Sequence, residues 1–127
     1  MGKGTALQFR NTFPLNYKLY QEACKNGRLV TGQLLVVNEN NLLLGERVII
    51  NFPTKQHWKK PSAYEYIDSG LAALRDFLVS CPVESMAMPA LGCVNGGLKW
   101  ELVKPMIVDH LSNTGVSITI YEPFTPD

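Results

Sequence analysis

Residues 86–100, MAMPALGCVNGGLKW, pass from an apolar stretch through a glycine-rich turn into residues at helical spacing. Strand, glycine loop and helix in that order aim free backbone N–H groups and a helix N-terminus at an anion, and a pyrophosphate would suit such a turn. Gly92, Gly96 and Gly97 match neither GxGxxG nor GxxxxGK[ST], so neither a dinucleotide fingerprint nor a P-loop is present. A tight strand-to-helix connection without a ligand explains these glycines equally well.

Outward from this stretch the chain alternates. Leu98, Leu102, Met106 and Leu111 predict an amphipathic helix, with Pro105 kinking it or lying near its start, and residues 117–121, SITIY, predict a last strand. Upstream, Ser62 and Glu65 have the S-x-x-E capping-box spacing ahead of Ile67, Leu71, Leu74 and Leu78, the apolar stripe of a second helix. Arg47 to Phe52 is a short apolar strand of the kind buried on both faces, and LVTGQLLVV, residues 29–37, is its expected partner across a polar turn at residues 38–41. A first helix spans Phe13 to Lys25, capped by Thr12 or Asn11, with Tyr17, Tyr20 and Cys24 on one face and Lys25-Asn26-Gly27 as its stop. This alternation predicts an α/β sandwich with a largely parallel or mixed sheet, in a single domain spanning residues 1–127, without repeat or linker.

Composition narrows the function. With 127 residues, 46% of them apolar, the chain can bury a normal core; a net charge of +1 creates no global field for nucleic acid, so such binding would need a local patch. Cys24, Cys81 and Cys93 form no CxxC, and no charged-then-apolar leader opens the chain, which points to a reducing, cytoplasmic compartment. The apolar runs fall short of the ~20 residues of a membrane helix, so no membrane partner is expected. His57, His110 and the scattered cysteines offer no zinc-ligand spacing, so no metal site is expected either.

The local patch is KQHWKK, residues 55–60. Lys55 stands at the end of the predicted apolar strand, where a lysine can be partly desolvated, and an amine must be neutral to attack a carbon. A snorkelling surface lysine is the commoner fate of any one Lys. Trp58 among His57, Lys59 and Lys60 sets a stacking face beside positive charge, the combination that holds an unstacked base and its backbone; a solvated loop with a packed tryptophan is the competing explanation. Gly2, Lys3 and Gly4 are a second glycine-flanked stretch, which alone is better explained as a frayed terminus or a cloning remnant.

Three segments together, GKGTALQF (2–9), INFPTKQHW (50–58) and PALGCVNGGLKW (89–100), with the helix SAYEYIDSGL (62–71) between them, resemble the macro domains of the DarG antitoxin type and their relative, the terminal ADP-ribose protein glycohydrolase. The resemblance spans the whole chain. It implies a three-layer α/β/α macro-domain sandwich with a mixed sheet and a cleft for ADP-ribose, which is ligand and product, no further cofactor being needed. It implies a hydrolase that removes ADP-ribose from modified nucleic acid, thymidine in single-stranded DNA, and a DarT-like toxin as partner. Carried over by position, Lys55 is the nucleophile that attacks the anomeric carbon of the distal ribose. Gly2, Lys3 and Gly4 form the first ligand loop, and Thr54, Pro89, Leu91, Gly92, Cys93, Val94, Asn95, Gly96 and Gly97 line the pyrophosphate and distal ribose. His57, Trp58, Lys59 and Lys60 are then left for base and DNA backbone.

Three departures accompany the resemblance. Gly96 stands where the protein-directed relative has a catalytic aspartate, which favours the DNA-directed branch. The common GCGLGG becomes GCVNGG, so Val94 brings a branched side chain where glycine allows the closest approach. Family members also place two strands and an asparagine-bearing ligand loop ahead of their GKG, so the resemblance describes an N-terminally shortened domain with exposed sheet edges: either the stated start is late, or another chain or a homo-oligomer covers the gap, or ligand binding is impaired. Two alternative functions stand beside the hydrolase: a module that binds ADP-ribose without turnover, and an interaction protein with a degenerate ligand site.

Overall fold

The computed structural model of the chain describes residues 8, 10–56, 60–81, 83–93 and 96–122. They fall into two compact units, one of residues 1–30 and 34–52, the other of residues 31–33 and 53–127.

In the first unit, helix α1 (Pro14–Lys25) packs on strand β1 (Leu35–Asn41), which pairs antiparallel with β2 (Gly45–Asn51) from Leu35 opposite Asn51 to Asn41 opposite Gly45. The cap position of α1 falls on Phe13, not on Thr12 or Asn11. Pro14 suits the first turn because its missing N–H would have no partner there. The next two N–H groups, of Leu15 and Asn16, donate to the Glu39 carboxylate at 3.4 and 2.7 Å. The helix ends as expected: Gly27 takes φ +66°, Arg28 N–H reaches Ala23 O at 2.9 Å and Gly27 N–H reaches Cys24 O at 3.3 Å, a Schellman closure. Its buried face is carried by Asn16 and Ala23, while Tyr17 and Tyr20 are half-buried and Cys24 is exposed, so the predicted stripe is displaced around the helix.

Two strand predictions need correction. Gly32 turns the chain at φ +87°, so β1 begins only at Leu35, and it runs on through the polar residues 38–41 that the sequence suggested were a turn. Two of those polar side chains have partners: Glu39 holds α1, Asn41 Nδ2 donates to Thr12 O at 3.0 Å, and Asn41 Oδ1 accepts the N–H groups of Leu43 and Leu44 at 2.8 and 2.9 Å. That Asx-type turn makes the hairpin bend at Leu42 and Leu43, both fully exposed. Strand β2 is not buried on both faces either; Ile49 is buried and Val48 is exposed.

In the second unit, α2 (Tyr64–Ser80) buries Ile67, Leu71, Leu74 and Leu78, the predicted stripe, against α3 (Trp100–Leu111). The face of α3 is Val103, Ile107 and Leu111, whereas Leu102 is exposed. Pro105 lies inside α3; it and Glu101, whose carbonyl its missing N–H would have met, are both exposed to solvent. Strand β3 (Ser85–Pro89) connects through α3 to β4 (Ser117–Tyr121), and the two pair in parallel with Met86 opposite Ile118 and Met88 opposite Ile120. Among the described residues each sheet has two strands, one sheet antiparallel and the other parallel.

The capping box at Ser62 is not formed. The cap position of α2 is Ala63, and the Ser62 hydroxyl is engaged elsewhere.

Candidate functional site

The glycine-rich turn after β3 closes on itself. Ala90 O accepts Cys93 N–H at 3.1 Å, and Gly92 O accepts Leu98 N–H at 3.0 Å, which brings the two ends of the turn together. Gly92 and Gly97 take φ +73° and +80°, values that glycine reaches without the steric cost of a side chain. Gly96 is required for another reason: a Cβ there would collide with Gly92 O and lie 2.8 Å from Ser62 Cβ.

The residues leading into α2 hold this turn from outside. Ser62 N–H donates to Gly96 O at 2.9 Å, and the Tyr64 hydroxyl accepts Lys99 N–H at 3.2 Å. A Cβ on Gly92 would meet Leu98 Cδ1 at 2.8 Å, Ser62 Oγ at 3.2 Å and Ile67 Cδ1 at 3.3 Å, so the turn rests on the apolar start of α2. Ser62 Oγ–H in turn donates to Thr54 O, the carbonyl immediately before Lys55. One buried serine therefore joins the Lys55 segment to the glycine turn.

Of the residues selected from the sequence, Thr54 and Lys55 are half-buried, Leu91 and Gly96 are buried, Gly92 and Cys93 are half-buried, and Pro89, Gly97 and Lys60 are exposed. The Cys93 thiol reaches Leu91 O at 3.5 Å, and burial pushes its pKa above the ordinary thiol value. Gly2, Lys3, Gly4, His57, Trp58, Lys59, Val94 and Asn95 lie outside the described residues. Ser62 and Tyr64 escaped the sequence reading, because the S-x-x-E spacing assigns Ser62 to helix capping and nothing local marks Tyr64 as an acceptor.

This arrangement puts a tight glycine turn and a half-buried lysine on connected segments. A tight turn with positive-φ glycines lets backbone come close to phosphate oxygens, and a half-buried lysine stands on a segment tied to that turn. Among the described residues no group of three or more His, Cys, Asp or Glu side chains converges on a point, and no helix is long and apolar enough to cross a membrane.

Comparison with known proteins gives consistent findings. The family model of the macro domain matches residues 1–107. A DNA ADP-ribosyl glycohydrolase of Thermus aquaticus is 44% identical over 124 residues, which are 97% of this chain and 34% of that protein. The chain thus spans about a third of the length of the curated relative it matches. The macrodomain of Mycobacterium tuberculosis DarG superposes with a TM-score of 0.89 at 41% identity, covering 98% of this chain and 82% of that one. Thermosipho africanus DarTG, solved in complex with ADP-ribose, superposes with a TM-score of 0.86 at 35% identity, covering 96% of this chain and 34% of that one.

Proposed function

Because the chain belongs to the macro domain family and is of the DarG type, we propose that it is an ADP-ribosyl glycohydrolase that removes ADP-ribose from thymidine in single-stranded DNA. It acts in the cytoplasm as the antitoxin to a DarT-like transferase. The observation that carries this function is the tie from Thr54 O through Ser62 to Gly96 O, which sets Lys55 and the glycine turn in one unit.

The chemistry follows from that placement. Backbone groups of the glycine turn hold the diphosphate and thereby present the distal ribose to Lys55. The Lys55 amine bonds to the anomeric carbon as the bond from that carbon to the base breaks, and the base takes the electron pair and the proton that the amine gives up. The ribose ring of this adduct opens, its ring oxygen taking the N–H proton and leaving an imine to Lys55; water then adds to the anomeric carbon, releasing ADP-ribose and restoring the amine. His57, Trp58, Lys59 and Lys60 contact the base and the DNA backbone. Gly96, where the protein-directed relative has an aspartate, supports DNA over protein as the target.

The test is release of ADP-ribose from single-stranded DNA modified on thymidine. Lys55→Ala should abolish release while changing ADP-ribose affinity by less than about tenfold, since losing a nucleophile removes transition-state chemistry more than ground-state contacts. Borohydride trapping should mark Lys55. Full turnover by Lys55→Ala would reject the nucleophile, and wild-type protein that binds ADP-ribose without releasing it would be a binding module.

A further inference from the structure

We infer that Ser62 is a positioning residue for this reaction, setting the place of Lys55 relative to the glycine turn. The inference rests on the proposed role of Lys55 as nucleophile.

Ser62 is 8% exposed and uses both of its donors on the two parts of the site. Its backbone N–H goes to Gly96 O at 2.9 Å, and its hydroxyl goes to Thr54 O. A peptide unit is planar, so a bond that holds the Thr54 carbonyl also fixes the Lys55 N–H and the Lys55 Cα in the same plane. The base of the Lys55 side chain is thus referenced to Gly96 through one residue. Contacts on the other side narrow the freedom further, because Ser62 Oγ and Cβ stand 3.2 and 2.8 Å from where side chains on Gly92 and Gly96 would begin. Both ends of the turn are therefore shaped around this serine.

The local alternative makes the assignment sharper. Ser62 has the spacing of a capping residue, and the cap position of α2 falls one residue later on Ala63, which has no side-chain acceptor. The hydroxyl forgoes the helix N-terminus and bonds across to Thr54 instead. Thr54 and Lys55 belong to no helix or strand, so no ladder of backbone bonds holds them in place. A single side-chain tie on such a segment has a large share in where Lys55 sits. Displacing a reacting group by about 1 Å costs on the order of 100-fold in rate.

Three variants in the same DNA-release assay test this. Ser62→Ala keeps the backbone bond to Gly96 and loses the bond to Thr54, so kcat should fall at least tenfold, with KM and ADP-ribose affinity within about threefold and the melting temperature within a few degrees. Ser62→Cys keeps the size and a weak donor and should have a kcat between the two. Lys55→Ala, in which release is abolished, should keep its ADP-ribose affinity within about threefold when Ser62→Ala is added. Unchanged kcat in folded Ser62→Ala overturns the inference, as do parallel losses of kcat, affinity and melting temperature, which mark a purely structural serine. If Ser62→Ala does not fold, wild-type kcat in folded Ser62→Cys overturns it. Wild-type protein that releases no ADP-ribose overturns the hydrolase function itself, an outcome separate from any difference among the variants.

Discussion

The Glu39 carboxylate in strand β1 accepts the backbone N–H of Asn16, the third residue of α1, at 2.7 Å. It serves as the cap that Phe13 cannot supply, and it also complements the positive end of the helix. Glu39→Ala would leave the N–H groups of Leu15 and Asn16 without this acceptor, so unfolding in urea should show a loss of about 1–3 kcal/mol. Glu39→Gln, which retains one acceptor oxygen, should lose less. Equal stabilities of Glu39→Ala and wild type would show that water replaces the carboxylate freely.

Beside that cap, Asn16 and Asn51 exchange side-chain bonds at 3.2 and 2.8 Å, and Asn51 Nδ2 also reaches Leu35 O at 3.1 Å. Both are buried. Replacing either by Leu strands the other, whereas replacing both removes the pair together. A double-mutant cycle should therefore give a favourable coupling of about 1–3 kcal/mol. Additive losses would mean that each amide has another partner once the first is gone.

Gly96 and Gly97 should respond differently to alanine. At Gly97, φ is +80° and the space around the Cβ position is open, so Gly97→Ala carries only the backbone cost of roughly 1–2 kcal/mol. At Gly96 the Cβ runs into Gly92 O and Ser62, so Gly96→Ala must open the turn, costing about 1–3 kcal/mol and weakening ADP-ribose binding. Gly96→Asp meets the same obstruction and should lose binding rather than acquire protein-directed activity. Titration with ADP-ribose ranks the three variants; tight binding by Gly96→Asp would refute the steric account.

Burial raises the Cys93 pKa, so little thiolate is present at neutral pH. Cys24 and Cys81 are exposed. Iodoacetamide followed by peptide mass spectrometry should find Cys93 modified last at pH 7.5, with its rate climbing as pH rises through the raised value. Because the fold favours the neutral thiol, its contribution to stability is present at low pH and declines over that same rise. Saturating ADP-ribose should protect Cys93 and leave Cys24 and Cys81 unchanged. Protection of all three, or of none, would separate Cys93 from the ligand site.

What could be read from the chain alone follows the range of the forces involved. Ile67, Leu71, Leu74 and Leu78 announced α2, and SITIY announced β4, because hydrophobic periodicity is written in neighbouring residues. Lys55 and the glycines were singled out by residue type, spacing and family resemblance. Residues 38–41 look like a turn because their polarity is local information, whereas they pair with β2 as a strand, and the partners of the Glu39 and Asn41 side chains, Asn16 N–H and Thr12 O, lie more than twenty positions earlier. Ser62 looks like a cap for the same reason. Its spacing to Glu65 is local, but its hydroxyl bonds to Thr54 O and its N–H to Gly96 O, and only folding brings those carbonyls to it. A buried donor takes the acceptor that the tertiary structure places beside it, and that choice appears in no window of sequence.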